Sequence, residues 1–138
     1  MARLTFDVSL DLLLDSLAIV GMQAGEPLIG ILGEFDALPG ISQKAHPVKE
    51  ALEAGSAGHG CGHNLFGAAS LRAAVAIKEL IAAGKLKGTI RFYGTPAEEA
   101  IGGKIYMARD GLFKDLEVCL AWHPDDKIGA DVDSSQAI

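Results

Sequence analysis

Residues 65–94 read LFGAASLRAAVAIKELIAAGKLKGTIRFYG, and this stretch decides the fold class. Its first part, residues 65–83, consists of good helix formers, is apolar on nearly every side and is followed by Gly84, so it predicts a well-buried helix. Its last part, residues 88–94, alternates and is rich in branched and aromatic side chains, which predicts a strand. A buried helix that leads into a strand is typical of an α/β domain.

The segments on either side continue the alternation of strands and helices. Residues 28–32 form a short apolar run after Pro27 and predict a buried strand, and residues 118–122 predict a third strand. Residues 103–109 predict a helix that ends at Gly111. We therefore expect a three-layer α/β sandwich with a largely parallel or mixed sheet, whose functional residues lie beyond the carboxyl ends of the strands.

Composition narrows the classes of function. The 138 residues are 49% hydrophobic and 22% charged, which is typical of a globular domain long enough to bury a core. The 12 basic and 18 acidic residues give a net charge of -6 without a basic stripe, so we expect no nucleic-acid partner. We expect no membrane partner either, because no uncharged apolar run reaches about 18 residues. Two distant cysteines, Cys61 and Cys119, do not form a disulfide framework, which favours the cytoplasm.

Polar clusters follow all three predicted strands, and on a parallel sheet such clusters meet at one edge. Their members are Glu34 with Asp36, Glu98 with Glu99, and His123. Residues 39–62 form a long loop rich in glycine, and ordered loops of this length are commonly functional. The loop brings the sequence His59-Gly-Cys61-Gly-His63 to the same edge, just before the buried helix.

This set contains ligands that a transition metal prefers. The thiolate of Cys61 and the imidazole of His63 are separated by one glycine and can turn inward together. Glu99 and His123 come from distant strands and complete a set of four ligands. Glu98 is adjacent to Glu99 in an irregular segment and points in a different direction. Glu99 can therefore bind metal while Glu98, as general base, takes a proton from the water that attacks an amide carbonyl.

Each of these signals also has a structural interpretation. The glycine-rich run before the helix could bind an anion, although it matches neither the dinucleotide fingerprint nor the phosphate loop. Glu98 and Glu99 could form a solvated turn, and His123, which precedes a proline, could be structural. We interpret Cys119, inside an apolar strand, as a core residue with an unreactive thiol, and we assign no role to His46.

Four motifs resemble the amidohydrolase branch of the metal-dependent aminoacylase/carboxypeptidase-like peptidase family. They are LGEFDALP at residues 32–39, HGCGHN at 59–64, PAEE at 96–99 and WHP at 122–124. They occur in the order and approximate spacing of the family and cover about residues 26–126. The resemblance implies a zinc-peptidase-like catalytic domain that hydrolyses N-acyl amino acids or related amides with two divalent metal ions, manganese or zinc.

The motif match also implies roles for individual residues. It places metal ligands at Cys61, His63, Glu99 and His123, the catalytic base at Glu98, and at Asp36 the carboxylate that supports the metal site. His59 also matches a motif residue, but we rank its functional role below those of the other residues. Asn64 stands where many relatives have Asp, which favours p-aminobenzoyl-glutamate as the substrate over plant auxin conjugates.

The chain departs from the family in length, since members carry a lid and dimerisation domain after the region of His123 and a further ligand histidine near their carboxyl end. We therefore expect residues 25–138 to be a partial metal-binding catalytic domain. Residues 1–24 are expected to be an atypical amphipathic leader, because Asp7, Asp11 and Asp15 recur on one helical face and also interrupt any signal peptide. Two alternatives stay open: an inactive metal-binding remnant, and one half of a split enzyme that needs a complementary chain. A homo-oligomer is compatible with each.

Overall fold

The computed structural model describes residues 25–129. In chain order these residues form β1 (Leu28–Glu34), α1 (His63–Ala82), β2 (Thr89–Thr95), α2 (Glu98–Ile101), α3 (Gly103–Arg109) and β3 (Val118–Leu120). The amphipathic segment predicted at residues 1–24 lies outside the described residues, as do residues 130–138. Within residues 25–129, no helix combines the length and the apolar character needed to cross a membrane.

The three strands form one parallel sheet in the order β2-β1-β3. β1 pairs with β2 in continuous register, from Leu28 opposite Thr89 to Glu34 opposite Thr95. β3 pairs with the other side of β1, beginning with Val118 opposite Ile29. The predicted α/β class, the parallel sheet and the alternation of strands with helices are confirmed. β1 is the central strand, which explains its almost uninterrupted apolar sequence.

One face of the sheet is covered by α1. The buried core cluster on this face consists of Ile31, Ala74, Ile81 and Ile90. The helix and β1 approach each other closely at Gly33, where a Cβ atom would lie 3.3 Å from Cα of Gly67 and 2.7 Å from the ring of Phe92. Glycine at position 33 therefore lets the amino-terminal half of α1 lie directly on the sheet.

The opposite face of the sheet is covered by the segment around and after α3. Tyr93 is only 1% exposed, its hydroxyl donates a hydrogen bond of 2.8 Å to the carbonyl of Leu112, and its ring packs edge-on against Phe113. Leu116 fills the space beside Gly30, where a Cβ atom would lie 2.6 Å from its side chain. The described residues thus form three layers, as the sandwich prediction requires.

Two predictions of burial are wrong. The helix α1 was expected to be well buried, but Leu65, Leu71 and Leu80 are 60%, 40% and 39% exposed. Cys119 was expected in the core, but it is exposed because β3 is an edge strand whose three residues are all exposed. Both errors have the same origin: an apolar sequence indicates that a segment can be buried, whereas its neighbours decide whether it is.

Candidate metal centre

The six predicted site residues converge at the carboxyl edge of the sheet. Asp36 follows β1, His63 is the first residue of α1, Glu98 and Glu99 begin α2, and His123 follows β3. Cys61 lies at the end of the long loop, with its Sγ atom 3.6 Å from Nε2 of His123. The expectation that distant segments meet at one edge is therefore met in the geometry.

His63 is the most buried residue of this group, at 1% exposure. Its Nδ1 atom lies 3.1 Å from Oδ1 of Asp36, so Nδ1–H donates to the carboxylate and Nε2 carries the lone pair. Nε2 lies 3.0 Å from Oε2 of Glu34 and 3.9 Å from Oε1 of Glu99, yet it makes no hydrogen bond within the described residues. Oε1 of Glu99 is likewise buried and without a hydrogen-bond partner there.

These two buried acceptor atoms test whether the residues fit a metal ion. A buried imidazole nitrogen and a buried carboxylate oxygen that lack hydrogen bonds are costly, and these two atoms lie 3.9 Å apart. A divalent cation would satisfy both, and nitrogen and carboxylate oxygen are ligands that zinc and manganese accept. The donor set at this edge therefore fits a divalent metal.

Asp36 links two parts of the site. Besides its contact with His63, its Oδ2 atom accepts a hydrogen bond of 3.0 Å from the backbone N–H of Glu99. Burial by itself raises the pKa of Asp36. The carboxylate, however, accepts hydrogen bonds from the backbone of Glu99, from the backbone of Asp36 and from His63, and these outweigh the effect of burial, so the pKa is lowered. The carboxylate stays charged and fixes the orientation of His63 relative to α2.

Cys61 and His123 form the more open side of the site. His123 donates from Nδ1 to the carbonyl of Pro124 over 2.9 Å, which leaves the lone pair of Nε2 facing the thiol. Donor atoms of Cys61, His63 and His123 all lie within 4.8 Å of one another, a spacing that suits one cation. The neighbouring carboxylate of Glu99, followed by desolvation, raises the pKa of the Cys61 thiol, so a metal ion would have to displace its proton.

Local backbone features place these side chains. Gly62 has a φ of +77° immediately before α1 and lies against Pro124, where a Cβ atom would meet the proline ring at 2.9 Å. Ala97, with a φ of +55°, is a non-glycine residue in the left-handed region and directly precedes Glu98 and Glu99. These two glutamates were expected in an irregular segment, but they form the first turn of the short helix α2. Glu98 is exposed while Glu99 is partly buried, so the two carboxylates differ in their access to solvent.

Four neighbouring residues had no role in the predicted site: Glu34, Lys104, Trp122 and Ser70. Glu34 is 8% exposed and forms an ion pair with Lys104. Trp122 donates a hydrogen bond of 2.9 Å to the buried hydroxyl of Ser70 and packs edge-on against Phe66, which fixes the chain just before the second histidine of the site. The spacing of Glu34, two residues before Asp36, was the available signal. Nothing in the local sequence distinguishes Lys104 or Ser70.

The other two described histidines lie in the long loop. His59 is exposed and lines a cavity of about 420 Å³ together with Ile41 and Leu52. His46 lies 3.0 Å from the exposed carboxylate of Glu50. Within residues 25–129, neither histidine belongs to a group of donor atoms spaced for a metal ion.

Comparison with known proteins gives a consistent family match. The family model described as peptidase family M20/M25/M40 matches residues 30–135. The chain is 45% identical over 108 residues to a p-aminobenzoyl-glutamate hydrolase subunit of Escherichia coli (strain K12), which covers 78% of this chain and 22% of that protein. It is 36% identical over 110 residues to the Xaa-Arg dipeptidase of Homo sapiens, covering 74% of this chain and 20% of that protein.

A solved structure shares the fold. The crystal structure of the Bacillus subtilis YXEP protein, described as a dinuclear metal binding peptidase from the M20 family, superposes with a TM-score of 0.58 at 30% sequence identity. The match covers 74% of this chain and 27% of that chain. This chain therefore spans about a fifth of the curated relatives and about a quarter of the solved structure.

Proposed function

The chain belongs to peptidase family M20/M25/M40, and from that premise we propose that it carries the metal-binding part of an amidohydrolase site that cleaves N-acyl amino acids. The observation that carries this proposal is the group of donor atoms around His63. Its buried Nε2 atom and the buried Oε1 atom of Glu99 have no hydrogen-bond partner within the described residues, and donor atoms of Cys61 and His123 lie within 4.8 Å of a donor atom of His63. Acceptors arranged in this way are expected around a cation.

The proposed ligands of a divalent metal ion are Cys61, His63, Glu99 and His123. Thiolate and imidazole favour zinc, whereas the carboxylate is also acceptable to manganese. The Bacillus subtilis relative is described as dinuclear, and we infer that the complete protein holds two ions. When bound, such an ion supplies positive charge that lowers the pKa of a water nucleophile and polarises the scissile carbonyl.

Glu98 is the proposed general base. Its carboxylate is exposed to solvent, and one of its oxygens lies within 4.8 Å of donor atoms of His63 and Glu34. In this position it can accept a proton from the attacking water and deliver it to the departing amine nitrogen. Asp36 has a positioning role, because it holds Nδ1 of His63 and the backbone N–H of Glu99 at the same time.

The proposed substrate class is N-acyl amino acids, with p-aminobenzoyl-glutamate as the first candidate. The support is the relative from Escherichia coli, which is named for that substrate and is 45% identical. We place the activity in the cytoplasm, since a thiolate ligand requires Cys61 to stay reduced, and both cysteines are free in the structure.

The proposed partner of the site is further polypeptide that completes the substrate pocket. The chain spans about a fifth of its curated relatives, and one of these is named as a subunit. At the sheet edge, Val118, Leu120 and Trp122 are 45%, 51% and 42% exposed. Apolar side chains at this position favour a covering neighbour over water.

The test is amide hydrolysis by the purified, reduced 138-residue chain loaded with zinc or manganese. With p-aminobenzoyl-glutamate as substrate, Glu98→Gln should lower the rate about 10²- to 10⁴-fold while the bound metal is retained. Glu79→Gln, an exposed change on α1, is the matched control and should leave the rate unchanged. Hydrolysis that survives Glu98→Gln would contradict the proposed base.

The same assay separates the remaining alternatives. Activity that requires an added chain from a relative, and disappears again with Glu98→Gln, would support the split enzyme. Metal binding without hydrolysis under either condition would support the inactive remnant.

A further inference from the structure

Glu34 is a buried carboxylate at the metal edge that the proposed ligand set does not use. It ends β1, is 8% exposed, and its Oε2 atom lies 3.0 Å from Nε2 of His63. In the neutral imidazole whose Nδ1–H donates to Asp36, Nε2 is an acceptor, as is the carboxylate oxygen that it faces. Two acceptors this close in a buried site repel each other unless a positive charge lies with them.

Lys104 contacts Glu34 from the other side. Its ammonium group forms an ion pair with Oε1, and its side chain is 33% exposed, whereas that of Glu34 is 11% exposed. The lysine thus holds one carboxylate oxygen and leaves the other directed at His63. An oxygen of Glu98 completes a group with Glu34 and His63 whose donor atoms lie within 4.8 Å of one another.

We propose that Glu34 is an additional metal ligand of this centre, which binds a divalent cation through Oε2 together with Nε2 of His63, while Lys104 positions the carboxylate through Oε1. The inference rests on the proposed metal centre. Its independent support is the imidazole nitrogen, which is buried, lacks a hydrogen bond within the described residues and faces this oxygen. A second carboxylate beside Glu99 adds a hard oxygen ligand, which shifts the preference of the site toward manganese.

The test is titration of the reduced 138-residue chain with Mn²⁺ and Zn²⁺ in competition with a chelating dye. Glu34→Gln keeps the side-chain shape and removes its charge, and it should weaken Mn²⁺ binding by about tenfold or more. In the Co²⁺-loaded protein the same change should alter the visible absorption, because the number of ligands changes. Unchanged affinity and an unchanged spectrum would overturn the inference.

The chain offers a matched control on its surface. Glu50 also lies between a lysine and a histidine, since it pairs with Lys44 and lies 3.0 Å from His46, but its side chain is 51% exposed. Glu50→Gln should therefore change the affinity by less than about twofold, as expected for an exposed ion pair. Equal losses in Glu34→Gln and Glu50→Gln would indicate a general effect of charge and would refute a ligand role for Glu34.

A double variant separates a ligand from a structural ion pair. If Glu34 only neutralises Lys104, then Glu34→Gln combined with Lys104→Met should restore the affinity for Mn²⁺. If Glu34 binds the ion, the double variant should stay as weak as Glu34→Gln alone. Should Glu34→Gln fail to fold, Glu34→Asp keeps the negative charge and shortens the side chain: Mn²⁺ binding should weaken, because the carboxylate no longer reaches the ion, and unchanged binding would refute the inference.

The outcome for the unaltered chain distinguishes this inference from the proposed function. If the unaltered chain binds neither Mn²⁺ nor Zn²⁺, the proposed metal centre itself fails. If the unaltered chain binds metal and Glu34→Gln binds it equally well, only the ligand role of Glu34 fails.

Discussion

Replacement of Asp36 by asparagine probes how the site is held in place. The aspartate accepts from two donors at once, Nδ1–H of His63 at 3.1 Å and the backbone N–H of Glu99 at 3.0 Å. Asparagine has the same shape but only one acceptor oxygen, so its NH₂ group must face one of the two donors. Asp36→Asn therefore loses one charge-assisted hydrogen bond, weakens the other, and frees the imidazole to rotate.

The expected losses of stability and metal affinity follow from the burial of Asp36 and His63. The side chains of Asp36 and His63 are only 17% and 1% exposed, so solvent screens their contact little. A hydrogen bond to a charged group at such a site contributes about 1.5–3 kcal/mol to the free energy of unfolding. Loss of the residue that orients a metal-binding histidine typically lowers metal affinity about 10- to 100-fold, which corresponds to about 1.4–2.7 kcal/mol.

Two assays check this prediction. Urea unfolding of the metal-free chain should show the loss of stability, and Zn²⁺ titration against a chelating dye should show the loss of affinity. Asp110→Asn, which removes an exposed carboxylate paired with Arg109, should leave both values close to those of the parent. A folded Asp36→Asn chain that binds Zn²⁺ as tightly as the parent would refute the positioning role of Asp36.

Three further predictions concern the framework around the site. Ser70→Ala removes the acceptor of the Trp122 indole N–H and should lower the free energy of unfolding, measured in urea, by about 1–3 kcal/mol. An unchanged midpoint of urea unfolding would show that this hydrogen bond is dispensable. Gly103→Ala would place a Cβ atom 2.0 Å from the backbone carbonyl oxygen of Pro96, so circular dichroism should show a strongly lowered melting temperature. A melting temperature equal to that of the parent would contradict this close approach of the two backbone segments. Hydrogen bonds from Arg91 lower the pKa of Asp115, so their pair stabilises the fold above the unfolded-state pKa of about 3.9 and loses that contribution as the pH falls. The parent should accordingly lose more stability than Asp115→Asn when urea unfolding at pH 6 is compared with that at pH 3, and equal losses would argue against the pair.

The backbone architecture was largely predictable from the sequence. Residues 28–32 are apolar and residues 88–94 alternate; both runs are short and bounded by glycine or proline, and they became β1 and β2 almost as expected. Gly84 and Gly111 have φ values of +68° and +84°, so each ends its helix in a conformation that glycine readily adopts. Because parallel strands end at one edge, the convergence of the polar clusters followed from the order of the elements alone.

Side-chain surroundings were less predictable, because they depend on contacts between distant segments. The ion pair of Glu34 with Lys104 joins residues 70 positions apart, and the hydrogen bond of Trp122 to Ser70 joins residues 52 apart. No local pattern encodes such pairings. Cys119 shows the reverse case, since its apolar strand looked buried until the sheet order placed it at an edge.

We expect this chain to bind a divalent metal ion through a thiolate and imidazoles at the edge of its sheet. The most direct measurement is titration of the reduced 138-residue chain with Co²⁺, followed in the near-ultraviolet, where a thiolate ligand gives a charge-transfer band. We expect saturable binding with this band in the parent, its loss in Cys61→Ser, and its retention in Cys119→Ser, whose thiol lies on the exposed edge strand. A parent chain that binds no Co²⁺, or a band that persists in Cys61→Ser, would contradict the claim.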